Sequence, residues 1–143
     1  MTPVRRLGFT GTRHGMQRDQ HHAVMDLVRK LEPEEAHHGD CVGADMEFHE
    51  IVRVVQREAI IHIHPPFKRE HRAFCLGDEI HPEKDYLIRN QDIVKSSDAM
   101  VAAPRRNQEE LRSGTWATIR YARKVGKPVF IVGPDGKFVE FDC

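Results

Sequence analysis

The sequence predicts an α/β domain with a doubly wound, mostly parallel sheet, and three observations predict it. Short apolar runs alternate with segments of helical period along most of the chain, the pattern of strand–helix–strand units. Small-residue loops that open helices follow the first of those runs and the candidate strand at 35–38, at Gly11-Thr12-Arg13-His14-Gly15 and at Gly39-Asp40-Cys41-Val42-Gly43-Ala44-Asp45. A third start of the same kind, Ser113-Gly114-Thr115, follows another apolar run across a long polar loop. The 143 residues suit one domain, 1–143, with enough chain to bury a real core.

Taken in order, residues 5–10 (RRLGFT) read as the first strand, an apolar run ending in small residues. Ala23, Val24, Leu27, Val28 and Leu31 then recur at helical spacing, and Pro33 closes that helix. Residues 35–38 form a second strand before the Gly39–Asp45 loop. Ala44, Phe48, Ile51, Val52 and Val55 fall on one face of an amphipathic helix. Residues 59–64 (AIIHIH) are strand-like, and Pro65-Pro66 stops them. Residues 67–82 show no period and are read as a long loop with at most one short helix, a length usually functional or mobile. Helix returns over 85–96, with Leu87, Asn90, Ile93 and Val94 near one face. Residues 99–103 are the fourth strand, 115–124 a helix and 128–132 the fifth strand. Gly133-Pro134-Asp135-Gly136 makes a turn, so residues 137–141 are expected to return as an antiparallel edge strand.

Charge is plentiful but balanced, 22 basic residues against 22 acidic, which argues against coating nucleic acid by bulk charge. No run approaches a membrane span, and the start MTPVRRLGF lacks a signal peptide's apolar core. Cys41, Cys75 and Cys143 are odd in number and lack a CxxC pairing, so reduced thiols and a cytoplasmic location are expected.

In a strand order 3-2-1-4-5, the winding reverses between the first and fourth strands. Ligands bind at such a switch point, beyond the carboxyl ends of the strands. The Gly11–His14 turn and the loop from Arg105 to Thr115 should therefore face each other across one crevice. Free N–H groups and the positive end of the helix dipole at Ser113-Gly114-Thr115 suit a phosphate there.

These motifs carry a family resemblance. Gly8-Phe9-Thr10-Gly11-Thr12-Arg13, the Gly39–Asp45 loop and the series Arg89-Asn90, Ser97-Asp98-Ala99, Ser113-Gly114-Thr115 resemble the SLOG superfamily of Rossmann-like domains. That superfamily is named for the DNA-processing protein A family and the LONELY GUY phosphoribohydrolases. The second loop looks like the superfamily's "GGAxGAD" loop, and the last series like its closing "RN…SD…SGT" pattern. The resemblance implies a nucleotide site. In the phosphoribohydrolases an Arg before the fourth strand and a Glu after the Gly-Thr turn act on a nucleotide's glycosidic bond. Arg89 stands at the Arg position, but Thr118 stands at the Glu position, and a hydroxyl cannot supply the negative charge.

The expected ligand-binding residues are Gly11, Thr12, Arg13, His14, Gly43, Asp45, Arg89, Asn90, Ser113, Gly114 and Thr115. Catalytic candidates are Arg89, Asp45, Glu109 and Glu110, with Asp40 a further carboxylate that geometry would allow. Ser113 and Thr115 also suit a plain helix cap, and Asp45 a dipole partner. Arg105, Arg106 and Arg112 make the connecting loop basic, while Trp116 fits core packing better than base stacking. Of ten histidines, His14 is favoured for ligand contact. His62 and His64 share one side of their strand and His37-His38 lie beside another, but no HExxH or zinc-spaced Cys/His cluster appears, so neither metal nor cofactor is expected.

Three functions remain open. The first is binding of a nucleotide or nucleotide-derived small molecule, as sensor or sequestering protein. The second is an N-glycosidase or phosphoribohydrolase acting on a nucleoside monophosphate through another carboxylate. Single-stranded DNA binding ranks last, because charge is balanced and aromatics are few at 7%. A homodimer is left open. Arg89→Ala should weaken ligand binding with the fold intact.

Overall fold

The computed structural model describes residues 4–139. Seven strands form one sheet: β1 (Arg6–Gly11), β2 (Glu35–His38), β3 (Ile60–Ile63), β4 (Glu79–Ile80), β5 (Ala99–Ala103), β6 (Val129–Val132) and β7 (Phe138–Val139). Their order is β4-β3-β2-β1-β5-β6-β7, all parallel except the antiparallel β6–β7 pair. The expected order 3-2-1-4-5 therefore holds, with β5 and β6 as the fourth and fifth apolar runs. The fold class stands as read: α/β, doubly wound and mostly parallel, with an antiparallel edge.

Four helices cover the sheet: α1 (Arg18–Leu31), α2 (Ala44–Val55), α3 (Tyr86–Ser96) and α4 (Gly114–Lys124). Alternation in the strands sorts side chains between the two faces. Leu7, Phe9, Ala36, Ile61, Ile63 and Val101 join Val24, Val28, Phe48 and Ile51 in a core under α1 and α2. Phe9 and Phe48 stack at 4.4 Å between ring centroids, an arrangement worth about 1 kcal/mol beyond burial. Met100, Ala102, Val129 and Ile131 join Ile93, Val94, Trp116 and Ile119 under α3 and α4. Trp116 is a core residue, as its place on the helix suggested.

Local chemistry sets the helix starts. Gln17 and Gln20 form a capping box at α1, Asp85 accepts from the Leu87 N–H at α3, and Ser113 accepts from the Trp116 N–H at α4. At α2 the cap is Gly43, with φ of +96°, and a Cβ there would lie 2.4 Å from the Arg13 carbonyl oxygen. Only glycine both adopts that conformation and admits the first loop so closely.

One stretch departs from the sequence reading. Residues 67–82 contain a 3-10 turn, Arg69–His71, and also β4, which pairs in parallel with β3 through His62↔Glu79 and Ile63↔Ile80. Two exposed residues cannot show a period, so only pairing reveals the strand. The loop is anchored by Asp40, which is fully buried at φ +55°. Its carboxylate accepts from Arg72 Nε at 3.0 Å and the Cys75 N–H at 2.9 Å. The expected edge strand 137–141 is seen as Phe138–Val139, and residues 140 and 141 lie outside the described residues. No helix among the described residues is long and apolar enough to cross a membrane.

Candidate functional site

A cavity of about 730 Å³ opens beyond the carboxyl ends of β1, β2 and β5. It lies at the switch point where the sheet reverses its winding, between the turn after β1 and the loop before α4. The turn after β1 is held rigidly. The Thr12 N–H donates to the Ala103 carbonyl at 3.0 Å, and the Thr12 carbonyl accepts from the Gly15 and Ala44 N–H groups. One short turn thereby fastens β1 to β5 and to the start of α2.

Of the residues expected in the site, Gly11, Thr12, Arg13, His14, Asp45, Arg89, Asn90, Ser113, Gly114 and Thr115 line this cavity. Gly43 does not; it stands behind the wall and lets Arg13 approach α2. Among the carboxylates weighed for catalysis, Asp45 and Glu110 line the cavity. Glu109 is turned to Arg120 at 2.8 Å, and Asp40 is committed to the 67–82 loop. Thr118 is buried and donates to the Gly114 carbonyl at 2.9 Å, so its hydroxyl faces its own helix.

Arg89 is the most constrained of these groups. Its Nη1 donates to the Gly39 carbonyl at 2.6 Å and the His64 carbonyl at 3.3 Å, and its Nε to Asn90 Oδ1 at 2.8 Å. The guanidinium carbon also lies 5.2 Å from the Tyr86 ring centre. Of its nitrogens, Nη2 makes the weakest contact, 3.8 Å to the Cys41 sulfur, and is the one left to meet a ligand. A Cβ on residue 39 would strike Nη1 at 2.3 Å, so Gly39 is a condition for Arg89 lying where it does.

Asp45 is buried beside it. Burial raises its carboxyl to about 6 against the partial opposition of Arg89, and its Oδ2 accepts from the Cys41 N–H at 3.1 Å. Burial first, and then Asp45, raises the Cys41 thiol as well. Neither Cys41 nor Cys75 is in a disulfide. Over the whole lining, Arg13, Arg89, Arg105 and Arg112 face Asp45 and Glu110, a balance that favours an anion.

The sequence reading did not include Cys41, Val42, His71, Tyr86, Ile93 and Leu111, which also line the cavity. His71 and Tyr86 are hydrogen bonded to each other across the loop anchored by Asp40. Tyr86, one turn before Arg89 on the same helix, was the one open to detection. Val42 and Leu111 are exposed and supply apolar rim.

The histidines also gather. The sequence showed two separate pairs, but the register sets His37 beside His62 and brings Glu35 and His81 to the same place.

No protein-family model matches this chain, and no curated protein matches it. Among solved structures, it is similar to the molybdenum cofactor binding protein of the phototrophic bacterium Rippkaea orientalis, with a TM-score of 0.68. The two are 20% identical, over 90% of this chain and 76% of that one. It is also similar to the structural-genomics target TM1055, with a TM-score of 0.62 and 15% identity over 87% of this chain and 72% of that one. At these identities the likeness is one of fold.

Proposed function

We propose that this is a SLOG-type domain that binds a nucleotide or nucleotide-derived small molecule in the switch-point cavity, as sensor or sequestering protein. The observation that carries the reading is the start of α4 at the cavity wall. Gly114 has nothing within 4 Å of the place where a Cβ would stand, so open space lies against its backbone beside the capping Ser113. An anion there meets helix N–H groups and the dipole, with Arg105 and Arg112 on the adjoining loop. Arg13, His14 and Arg89 Nη2 close the phosphate end, while Val42, Tyr86 and Leu111 offer apolar surface to a base or ring. The solved neighbour from Rippkaea orientalis is named for binding a cofactor, which supports a small-molecule ligand in such a fold.

A specific observation favours N-glycosidase chemistry as the second reading. Asp45 is a buried carboxyl on the cavity, raised to about 6 and close to Arg89. A group so placed can hold or release a proton near neutrality, the requirement for a general acid or base. Thr118, turned into its helix, argues against the mechanism of the phosphoribohydrolases and for binding without turnover.

The test is chromatography of a nucleotide panel incubated with the pure protein, scoring free base and ligand retained. Retention of one nucleotide unchanged is the expected result, and release of free base replaces the binder with the glycosidase. Gly114→Val refines the site. Its new side chain enters open space, so the melting temperature should hold while retention falls at least ~10-fold. Unaltered retention would remove the α4 start from the site.

A further inference from the structure

A second concentration of chemistry lies on the sheet face shared by α3 and α4, over β2, β3 and β4. On β2, Glu35 and His37 alternate with Ala36, which packs into the α1/α2 core. On β3, His62 stands between Ile61 and Ile63 of that same core, and His64 follows the strand's last residue. His81 follows β4. Glu35 Oε1 stands 3.0 Å from His37 Nε2 and 3.3 Å from His62 Nε2. Each of those imidazoles turns its Nδ1 to a further histidine at 3.0 Å, His37 to His64 Nε2 and His62 to His81 Nε2. The rings stack in pairs, His37 on His62 and His64 on His81, both at 4.3 Å.

We propose that Glu35, His37 and His62 form a binding site for a divalent transition metal of the zinc type, with His64 and His81 orienting the two ligand imidazoles. This site stands apart from the ligand cavity and does not depend on the function proposed for it.

Nitrogen and oxygen ligands ~2.0–2.1 Å from a tetrahedral zinc lie about 3.3 Å from one another. The spacings from Glu35 Oε1 to the two Nε2 atoms match two sides of such a ligand triangle, and the three ligand atoms all lie within 4.8 Å of one another. With the Nδ1–H groups donating to His64 and His81, both Nε2 atoms keep their lone pairs on the side of Glu35; the two rings stack 14° from parallel, so a tilt of the more exposed His62 ring brings both lone pairs onto one ion. A cation there removes their mutual repulsion. The outer histidines then take the hydrogen bond that metal-bound imidazoles make through their remaining N–H.

The His37 side chain is 4% exposed, but those of His62 and Glu35 are 18% and 34% exposed. The triangle therefore opens to solvent on one side, leaving a fourth position for water. Two imidazoles and one carboxylate suit zinc, cobalt or nickel and disfavour magnesium and calcium, which take oxygen ligands. Another group, His38, His49 and Cys75, lies near the opposite face. There His38 Nδ1 already accepts from the Asp40 N–H at 2.9 Å, which leaves the proton on His38 Nε2, the atom that faces His49 Nδ1 at 2.9 Å.

The test uses the full chain stripped with chelator, with Co²⁺ as spectroscopic probe and Zn²⁺ as competitor. The expected result is one equivalent of Co²⁺ bound, with d–d bands of a four-coordinate site and no sulfur charge-transfer band, displaced by Zn²⁺. Glu35→Gln and His62→Ala should each weaken binding ~100-fold, and His81→Ala ~10-fold or more. His49→Ala should bind as the unaltered chain does. Circular-dichroism melts identify any variant that has lost the fold; the partly exposed, isosteric Glu35→Gln is the one chosen to keep it. Three results overturn the proposal. They are no uptake of either metal, affinity unchanged in both Glu35→Gln and His62→Ala, or a charge-transfer band that disappears in Cys75→Ala. In the first case Nε2–H groups donate to Glu35 and protons fill the network instead.

Discussion

The sheet face shared by α3 and α4 is built from opposite materials in its two halves. Over β5 and β6 the helices meet Met100, Ala102, Val129 and Ile131 with Ile93, Trp116 and Ile119, and the contact is apolar. Over β2, β3 and β4 the same face carries Glu35, His37, His62, His64 and His81, and α3 reaches only as far as β1 and β2 among the strands it packs on closely. The apolar half is stabilised by burial, which has no direction and tolerates changes of shape. The polar half holds only while each donor meets an acceptor, because an unpaired polar group in a low-dielectric setting is costly. Arg89 stands at the seam, with Nη1 shared between the Gly39 carbonyl at the cavity and the His64 carbonyl at the histidines.

The seam gives the largest expected effect. Arg89→Ala removes the donor from two carbonyls behind a side chain only 6% exposed, and should cost about 3 kcal/mol in urea unfolding. The sequence alone suggested lost binding with the fold intact; the two carbonyl contacts instead make Arg89 part of the structure. A cost below ~1 kcal/mol would separate the two halves again.

Asp45, on the cavity side of the seam, comes next. Burial raises its carboxyl to about 6 in the native state, against an ordinary aspartate's 3.8. The native state therefore binds more protons than the unfolded one between those values, so this group's contribution falls as pH rises through that window. Asp45→Asn should gain about 2 kcal/mol over the wild type at pH 7 and nothing near pH 4. Parallel stability curves would show that Asp45 does not carry this burial cost.

The comparison can also be broken by one pair of ring substitutions. His64→Phe strands His37 Nδ1 and should cost ~1–2 kcal/mol. In the apolar half, Trp116 Nε1 is buried without a hydrogen-bond partner among the described residues. Trp116→Phe drops that donor and some contact area together, so its change should stay within ~1 kcal/mol. Calorimetric melts of both variants check the order, and a reversed order would mean that the polar half tolerates gaps.

Legibility in the sequence followed the range of the interactions involved. β5 falls where its apolar run ends, β2 between Pro33 and the Gly39 loop, and α4 begins at the residue after its Ser113 cap, because periodicity, chain breakers and capping act within a few residues. β4 was not legible, since Glu79 and Ile80 are a strand only by pairing with β3. From sequence Gly43 fits a ligand contact, because a small residue in a loop has two uses, close approach to a ligand or to another loop. The chain takes the second use, against Arg13. Glu109 and Glu110 look alike in sequence, yet Glu109 is turned to Arg120 while Glu110 lines the cavity.

By itself, the sequence determined the class of sheet and the loops that open its helices, because alternation, helical period and glycine placement are local constraints on the backbone. Tertiary structure decided what those residues do. It tied Arg89 to the carbonyls of Gly39 and His64, buried Asp45 until its carboxyl rose, and laid Glu35 and four histidines, on or just past β2, β3 and β4, side by side. Register between strands far apart in sequence sets the contact of His37 with His62, and a one-residue slip of β3 would send His62 to the other face.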